Sequence, residues 1–272
     1  MLRALAFVVA VVSSGTMNIV AQDFSIRTTV RDLDAKANNL PLVRSQTVSH
    51  AGKIYDSIPA AGELTIFEPV HRRFRILNPG KSASTSVDFD ELRHMLKSAE
   101  ERLIQRLREL EQQSDVSREV LEALQFQLHP QFESEFDPAK SRLRMSSKYV
   151  VYEVDGQVSD RPEAIEAYLT YADWACRLNY VLHPQPLFPN VRLELNEHLR
   201  RHKLLPTKIT LRAKLDRPLN LQAEHSWAWT LDTLDRQSIH KWESILRDPK
   251  LQKVSLSEYQ RIALGQLAAK SR

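Results

Sequence analysis

Two histidines are spaced as metal ligands on a helix often are. His198 and His202 stand four residues apart, a spacing that places two imidazoles on one helix face. The protease pattern His-Glu-x-x-His is absent, because Leu199 occupies the position of the glutamate that would act as base. Three basic residues crowd the same turn and disfavour a bound cation: Arg200, Arg201 and Lys203. The segment is therefore interpreted as a basic helix face, and no metal site is predicted.

Three carboxylates alternate along a second candidate site. Glu133, Glu135 and Asp137 would share one strand face, and carboxylate oxygens are ligands that Ca²⁺ accepts. A turn at residues 137–140 leads into another strand on which Arg142 and Arg144 face the same way. We predict that Glu135 pairs with Arg142 and Glu133 with Arg144, and such cross-strand pairs contribute ~0.2–1 kcal/mol each. Ion pairs are therefore predicted here in preference to a metal site.

No candidate nucleophile lies in a recognisable catalytic sequence motif. Cys176, the single cysteine, sits in an apolar helical stretch and is predicted to be a buried, inert thiol. His225 and Ser226 are adjacent on a predicted strand, so their side chains point to opposite faces and cannot act as base and nucleophile. A catalytic site whose residues converge from distant positions in the chain is the alternative. No catalytic residue is predicted, and whether the protein is an enzyme is left open with a non-catalytic role favoured.

Five residues are predicted to bind a ligand. His225, Trp227 and Trp229 share one strand face, a geometry that can stack sugars or hold acyl chains. The alternative is that the tryptophans are core residues, because each buries a large area. Arg73 and Arg75 point outward from another strand and, with other outward basic residues, would form a basic face for an anionic envelope polymer or a lipid head group. The alternative is a face on which acidic partners balance the charge.

The composition excludes several classes of partner. The six glycines are widely separated, which excludes Gly-rich phosphate loops, the dinucleotide fingerprint and the G-x-S-x-G nucleophile elbow. The formal net charge of +4 is too small to indicate nucleic-acid binding. Neither a cofactor nor a nucleic-acid partner is predicted.

The first 21 residues have the features of a secretory signal peptide. One positive charge at Arg3 precedes an apolar run over residues 4–12, and Ala21 is a small residue at the predicted cleavage position. The run is too short for a spanning helix, which needs ~20 apolar residues. An uncleaved N-terminal anchor is the alternative. The protein is predicted to be exported, to the periplasm or beyond, with no transmembrane span after signal cleavage.

The pattern of apolar residues predicts the elements that carry these side chains. Period-two alternation predicts strands over residues 24–31, 43–49, 53–57, 63–68, 72–77 and 82–89, and further strands in the second half of the chain. Apolar residues three and four apart predict helices over residues 90–112, 117–127, 159–182 and 233–246 and from about residue 255. Residues 190–202 fit either pattern. The sum is a single α+β domain over residues 22–272, in which a large curved, mostly antiparallel sheet has several helices packed on one side.

One stretch resembles a known family. His50–Asp56 and Leu64–Pro69 are similar to the strand pair of periplasmic lipoprotein-carrier proteins, with a turn glycine, an aromatic residue and an acidic-Pro step. The resemblance implies a hydrophobic cavity that shelters acyl chains without catalysis. The chain departs from the family in its long helices, in a C-terminal half without counterpart and in the lack of a clear apolar-lined mouth. It also resembles exported bacterial proteins of unknown function.

Three functions follow as hypotheses. The leading one is an exported soluble protein that binds a hydrophobic or envelope ligand, such as a lipid or acyl chain or an anionic envelope polymer, and performs no chemistry. The second is an envelope hydrolase with dispersed catalytic residues. The third is a structural or interaction protein that dimerises through the helix at residues 90–112, and the oligomeric state is left open.

Overall fold

The computed structural model describes residues 22–35, 40–183, 186–215 and 218–270, so the predicted signal peptide at residues 1–21 lies outside the described residues. The strands are β1 (Phe24–Asp32), β2 (Val43–His50), β3 (Lys53–Ile58), β4 (Glu63–Glu68), β5 (Arg73–Asn78), β6 (Ala83–Asp88), β7 (Glu133–Asp137), β8 (Arg142–Ser146), β9 (Val150–Val158), β10 (Leu204–Ala213), β11 (Leu219–Ala228) and β12 (Gln252–Lys253). The helices are α1 (Phe89–Glu111), α2 (Arg118–Leu128), α3 (Pro162–Leu182), α4 (Pro189–Arg201), α5 (Thr233–Leu246) and α6 (Leu256–Lys270).

All twelve strands join one open sheet in the order β12-β6-β5-β4-β3-β2-β1-β11-β10-β9-β8-β7. Strands β1 to β6 form a meander. Helices α1 and α2 then carry the chain to the far edge, and β7 to β11 return it to the centre beside β1. Every pairing is antiparallel except that of β12 with β6. The predicted α+β fold with a large curved, mostly antiparallel sheet is confirmed.

A ten-residue repeat of proline turns shapes the meander. Pro59, Pro69 and Pro79 each begin a single 3₁₀ turn that joins two six-residue strands. Proline suits this position because its ring presets φ near the value that the turn requires. The closing residue adopts a left-handed conformation and donates its N–H to the proline carbonyl at 3.0–3.1 Å. These closing residues are Gly62, Arg72 and Ser82.

The two faces of the sheet are covered differently. The face that carries Phe24, Ile26 and Phe74, here called the inner face, packs against α1 to α4 and the start of α6. The opposite, outer face is covered by α5 over β2 to β5, where Tyr55 stacks on Trp242 with ring centroids 5.8 Å apart. The sequence predicts this helix over residues 233–246, but the prediction that the helices pack on one side of the sheet is wrong for α5, whose Ile239 and Trp242 pack on the outer face.

The predicted dimerising helix packs within its own chain. Its apolar stripe includes the buried Leu92, Leu107 and Leu110, and α1 contacts α2 and α3. Dimerisation through this helix stays a prediction. No helix within the described residues is long and apolar enough to cross a membrane.

The hairpin of β7 and β8 has a different register from the predicted one. Glu135 lies opposite Arg144 and Asp137 opposite Arg142, a shift of two residues. The shift arises because Asp137 closes the turn itself, accepting backbone N–H bonds from Ala139 at 3.0 Å and Lys140 at 3.2 Å. A shift of two preserves the faces, so Leu143 and Met145 on β8 still reach the core.

Gly156 lies inside β9, where this strand pairs with β10. It is paired with Pro206, next to a register shift in β10 between Pro206 and Lys208. A Cβ atom at this position would lie 2.6 Å from the carbonyl oxygen of Leu205 and 2.8 Å from the Leu204 side chain. Glycine is therefore needed for the close approach of the two backbones.

We predict that Gly156→Ala lowers the free energy of unfolding by about 1–3 kcal/mol, because the backbone of β10 must move to admit the methyl group. Urea denaturation followed by circular dichroism measures the change. Gly80→Ala is the matched control, since its added Cβ would meet only an ordinary contact at 3.6 Å. Equal stabilities for the two variants would contradict the packing argument.

Candidate functional site

The five predicted ligand-binding residues lie on opposite faces of the sheet. Arg73 and Arg75 are on the outer face, where Glu68 lies 2.7 Å from Arg73 Nε and 3.8 Å from Arg75 Nε. Glu68 itself is 3% exposed, and the adjacent cations hold its pKa below the usual range although burial opposes them. The other three residues face inward, His225 and Trp227 from β11 and Trp229 from the residue after its end. The structure therefore does not bring the arginines and the aromatic residues together.

Trp227 and Trp229 are partly buried and pack against the core. Their rings stack with centroids 5.5 Å apart, and Phe24 lies 5.7 Å from Trp227. The indole N–H of Trp227 donates to the carbonyl oxygen of Pro206 at 2.8 Å. Since the rings fill space between β1, β11 and α3, they hold the sheet and helix layers together.

Acidic residues balance the basic side chains of the outer face. Asp155 on β9 pairs with Arg142 at 2.6 Å and with Lys208 at 2.5 Å. One step along the same strand face, Glu153 pairs with Arg212 at 3.3 Å and contacts Arg144. The exposed part of this face therefore carries alternating charges, as the alternative interpretation of the sequence describes.

A cavity of about 250 Å³ lies on the inner face, between the centre of the sheet and helices α3 and α4. The segment before α4 lines one side of it, and this segment is anchored by a hydrogen bond from the N–H of Phe188 to Gln127 Oε1 at 2.9 Å. The apolar lining comes mainly from four strands and this segment: Val30, Tyr152, Leu187, Leu211, Leu221 and Ala223. The cavity is thus an apolar space with a small residue of β11, Ala223, at its floor.

One cation lines this apolar cavity. Arg192 on α4 donates from Nε to Asn196 Oδ1 at 3.0 Å, and Asn196 is fully buried. The Asn196 amide in turn donates to Asp173 at 2.8 Å, and Asp173 forms an ion pair with Arg200 at 3.0 Å. Among the residues that the structure describes, no carboxylate forms an ion pair with Arg192. Asp173, the acid in this chain of contacts, is therefore already paired with Arg200.

The titratable groups around Arg192 are neutral at neutral pH. Burial lowers the pKa of His225 to about 4, and the positive charge of Arg192 adds to this shift. Burial raises the pKa of the Cys176 thiol to about 11 and that of Tyr152 to about 12. Burial also raises the pKa of Tyr168, against the charge of Arg192. Within the described part of the cavity, the guanidinium is the charged group.

His225 lies near the cavity, in the ladder between β1 and β11. Its Nδ1 lies 2.9 Å from Thr28 Oγ1, while Nε2 is buried without a hydrogen-bond partner among the described residues. His225 stands two residues from Ala223 on the same strand face. It therefore lies beside the lining residue Ala223, and the two tryptophans follow at and just beyond the end of β11.

The sequence pattern does not identify Arg192 or Asn196, because the apolar residues in 190–202 are spaced both by two, as in a strand, and by four, as in a helix. The side chains that share a face are therefore ambiguous. In the structure the segment forms helix α4, with Pro189 at its first position, where proline favours a helix. Val191 and Leu195 then lie on the buried stripe, and Arg192 and Asn196 follow each by one residue. The feature of the sequence that could have identified the site is the spacing of Arg192 and Asn196, which lie four residues apart and next to the apolar stripe of α4.

Buried acids also occur elsewhere on the inner face. Glu63 is 7% exposed and accepts hydrogen bonds from His183 Nε2 at 3.2 Å and from the Tyr259 hydroxyl at 3.1 Å. Asp56 accepts a hydrogen bond from Thr47 at 2.8 Å, and burial raises its pKa. These acids bond to core side chains beneath the helices, and neither lines the cavity beside Arg192.

We predict that His225 makes stability depend on pH. Its pKa is about 4 when folded and 6.5 ordinarily, so below pH 6.5 protons favour the unfolded chain. The free energy of unfolding should fall as the pH drops from 7 to 5, and the full loss down to pH 4 is at most about 3 kcal/mol. Urea denaturation at each pH should show a weaker dependence for His225→Gln. The exposed His71→Gln is the control, and parallel curves for wild type and His225→Gln would refute the prediction.

Comparisons with known proteins add little to this geometry. No protein-family model matches the sequence, and no curated protein matches it. Among solved structures, that of PNGF-II has 9% sequence identity to this chain and a TM-score of 0.37. The similarity covers 90% of this chain and 33% of PNGF-II, so the chain spans about a third of that protein's length. A likeness this distant carries no argument about function, which has to be inferred from the cavity itself.

Proposed function

We propose that this protein is a non-catalytic binding protein that holds a hydrophobic ligand in the cavity between the sheet and α4. The observation that carries the proposal is an apolar space formed by four strands and the segment before α4, with the guanidinium of Arg192 at its edge. Apolar pockets with a few polar groups are the usual form of small-molecule sites. Export to the periplasm or beyond is part of the same proposal and is supported by the sequence of residues 1–21.

The size of the cavity favours a ligand with one apolar chain. Its volume of about 250 Å³ lies just below the roughly 300–1,000 Å³ that is typical of pockets for drug-sized ligands. A lipid with several acyl chains would require more space than this. The resemblance to lipoprotein carriers implies the same class of ligand, and the volume narrows that class to a single chain.

The chemistry of the lining favours binding over catalysis. The raised pKa of Cys176 keeps the thiol protonated, and the thiolate is the reactive form of cysteine. The hydrogen-bond partner of His225 is Thr28, whose hydroxyl lies in the ladder beneath the ring. These groups therefore favour a cavity that binds a ligand without reacting with it.

We predict that the wild-type protein binds one equivalent of decan-1-ol, an uncharged single-chain probe. Ala223→Phe should weaken this binding about tenfold or more, because the phenyl ring would occupy the floor of the cavity, and each tenfold loss corresponds to ~1.4 kcal/mol. Isothermal titration calorimetry measures the affinity, and a thermal melt checks that the variant is folded.

Ala60→Phe is the matched control, since Ala60 is exposed in the first proline turn, at a site outside the cavity. It should bind decan-1-ol as the wild type does. Absence of binding to the wild type, or equal affinities for the two phenylalanine variants, would contradict the proposed function.

A further inference from the structure

We infer that the ligand carries a carboxylate head group and that Arg192 binds it. The inference rests on the proposed function and deepens it, because it assigns the chemical class of the ligand in the same cavity. The observation behind it is an apolar lining to which, among the described residues, only Arg192 adds a guanidinium. A fatty acid has the matching shape, with one apolar chain and one negative charge.

A cation in this position calls for a negatively charged partner. A charged group that is removed from water without a counter-charge destabilises the protein, and buried charges are therefore usually paired. Arg192 is only partly exposed, and the described residues supply no carboxylate to it. Its contact within helix α4 is with the neutral amide of Asn196. A ligand carboxylate would supply the missing charge.

The described hydrogen-bond partners of Arg192 are Asn196 and Tyr168, and neither side chain carries a charge. Asn196 Oδ1 accepts from Nε, which fixes the plane of the guanidinium, and Asn196 is itself fixed by Asp173. The two terminal nitrogens of an arginine fit the two oxygens of a carboxylate in a bidentate arrangement. Asn196 is therefore a positioning residue, while Arg192 makes the contact with the ligand.

The surroundings of Arg192 contain no competing acid among the described residues. The titratable groups that face it are Tyr152, Tyr168, Cys176 and His225, and all four are neutral at neutral pH. On the side of α3, Asp173 is engaged by Asn196 and Arg200. The local charge is therefore that of one guanidinium, which matches one carboxylate better than a phosphate monoester of about −1.5 to −2.

Calorimetry with decanoate and decan-1-ol separates the head group from the chain. The wild-type protein should bind decanoate about tenfold or more tightly than the alcohol, since hydrogen bonds between charged groups are the stronger ones. Arg192→Gln should lose this preference, so that it binds decanoate and decan-1-ol with similar affinities. Arg192→Lys, which keeps the charge and loses the fork, should keep part of the preference. Arg201→Gln, at an exposed position of α4, should bind both compounds as the wild type does.

The outcomes separate the inference from the function on which it rests. If Arg192→Gln and Arg192→Lys, shown to be folded by thermal melts, bind decanoate as the wild type does, the carboxylate site is overturned and the hydrophobic cavity stands. If the wild type binds decyl phosphate more tightly than decanoate, the assignment to a carboxylate is overturned. If neither decanoate nor decan-1-ol binds, the proposed function fails, and the inference fails with it.

Discussion

The antiparallel ladder between β1 and β11 is the interaction on which the rest of the structure depends. It joins the N-terminal meander to the C-terminal strands and so makes one sheet from two halves of the chain. Its register places Val30 opposite Ala223 and Thr28 opposite His225. The floor of the cavity and the hydrogen bond that holds the histidine therefore both follow from this one pairing.

The alternation of side chains along each strand then assigns every residue to a face. On the inner face, apolar side chains pack against the helices, and the tryptophans, the histidine and the cavity lie on this face. On the outer face, the charges are arranged in pairs such as Arg142 with Asp155, and α5 covers the apolar part. Arg192 departs from this sorting, because it reaches the inner side from a helix and brings a charge into an apolar layer. That departure is the reason to regard the cavity as a binding site rather than a packing defect.

Local features could be predicted from the sequence, and features that depend on distant residues could not. Strand alternation and proline turns act over six to ten residues, which is why the meander from β1 to β6 and the fold class follow from the pattern. The register of the β7–β8 hairpin was wrong because the side chain of Asp137 sets the turn, an effect that charge pairing alone does not reveal. The cavity depends on strands about 190 residues apart, as the pair Val30 and Ala223 illustrates. Helix α4, which carries Arg192, was ambiguous because its residues satisfy two periods at once.

The central claim is that a single-chain carboxylate occupies the space between β11 and α4 with its head group on Arg192. A crystal structure of the protein with decanoate tests this most directly. The account predicts the carboxylate oxygens within hydrogen-bonding distance of the terminal nitrogens of Arg192, with the chain against Ala223 and Leu211. Decanoate bound at another surface, or Arg192 paired with a carboxylate of the protein itself, would contradict it.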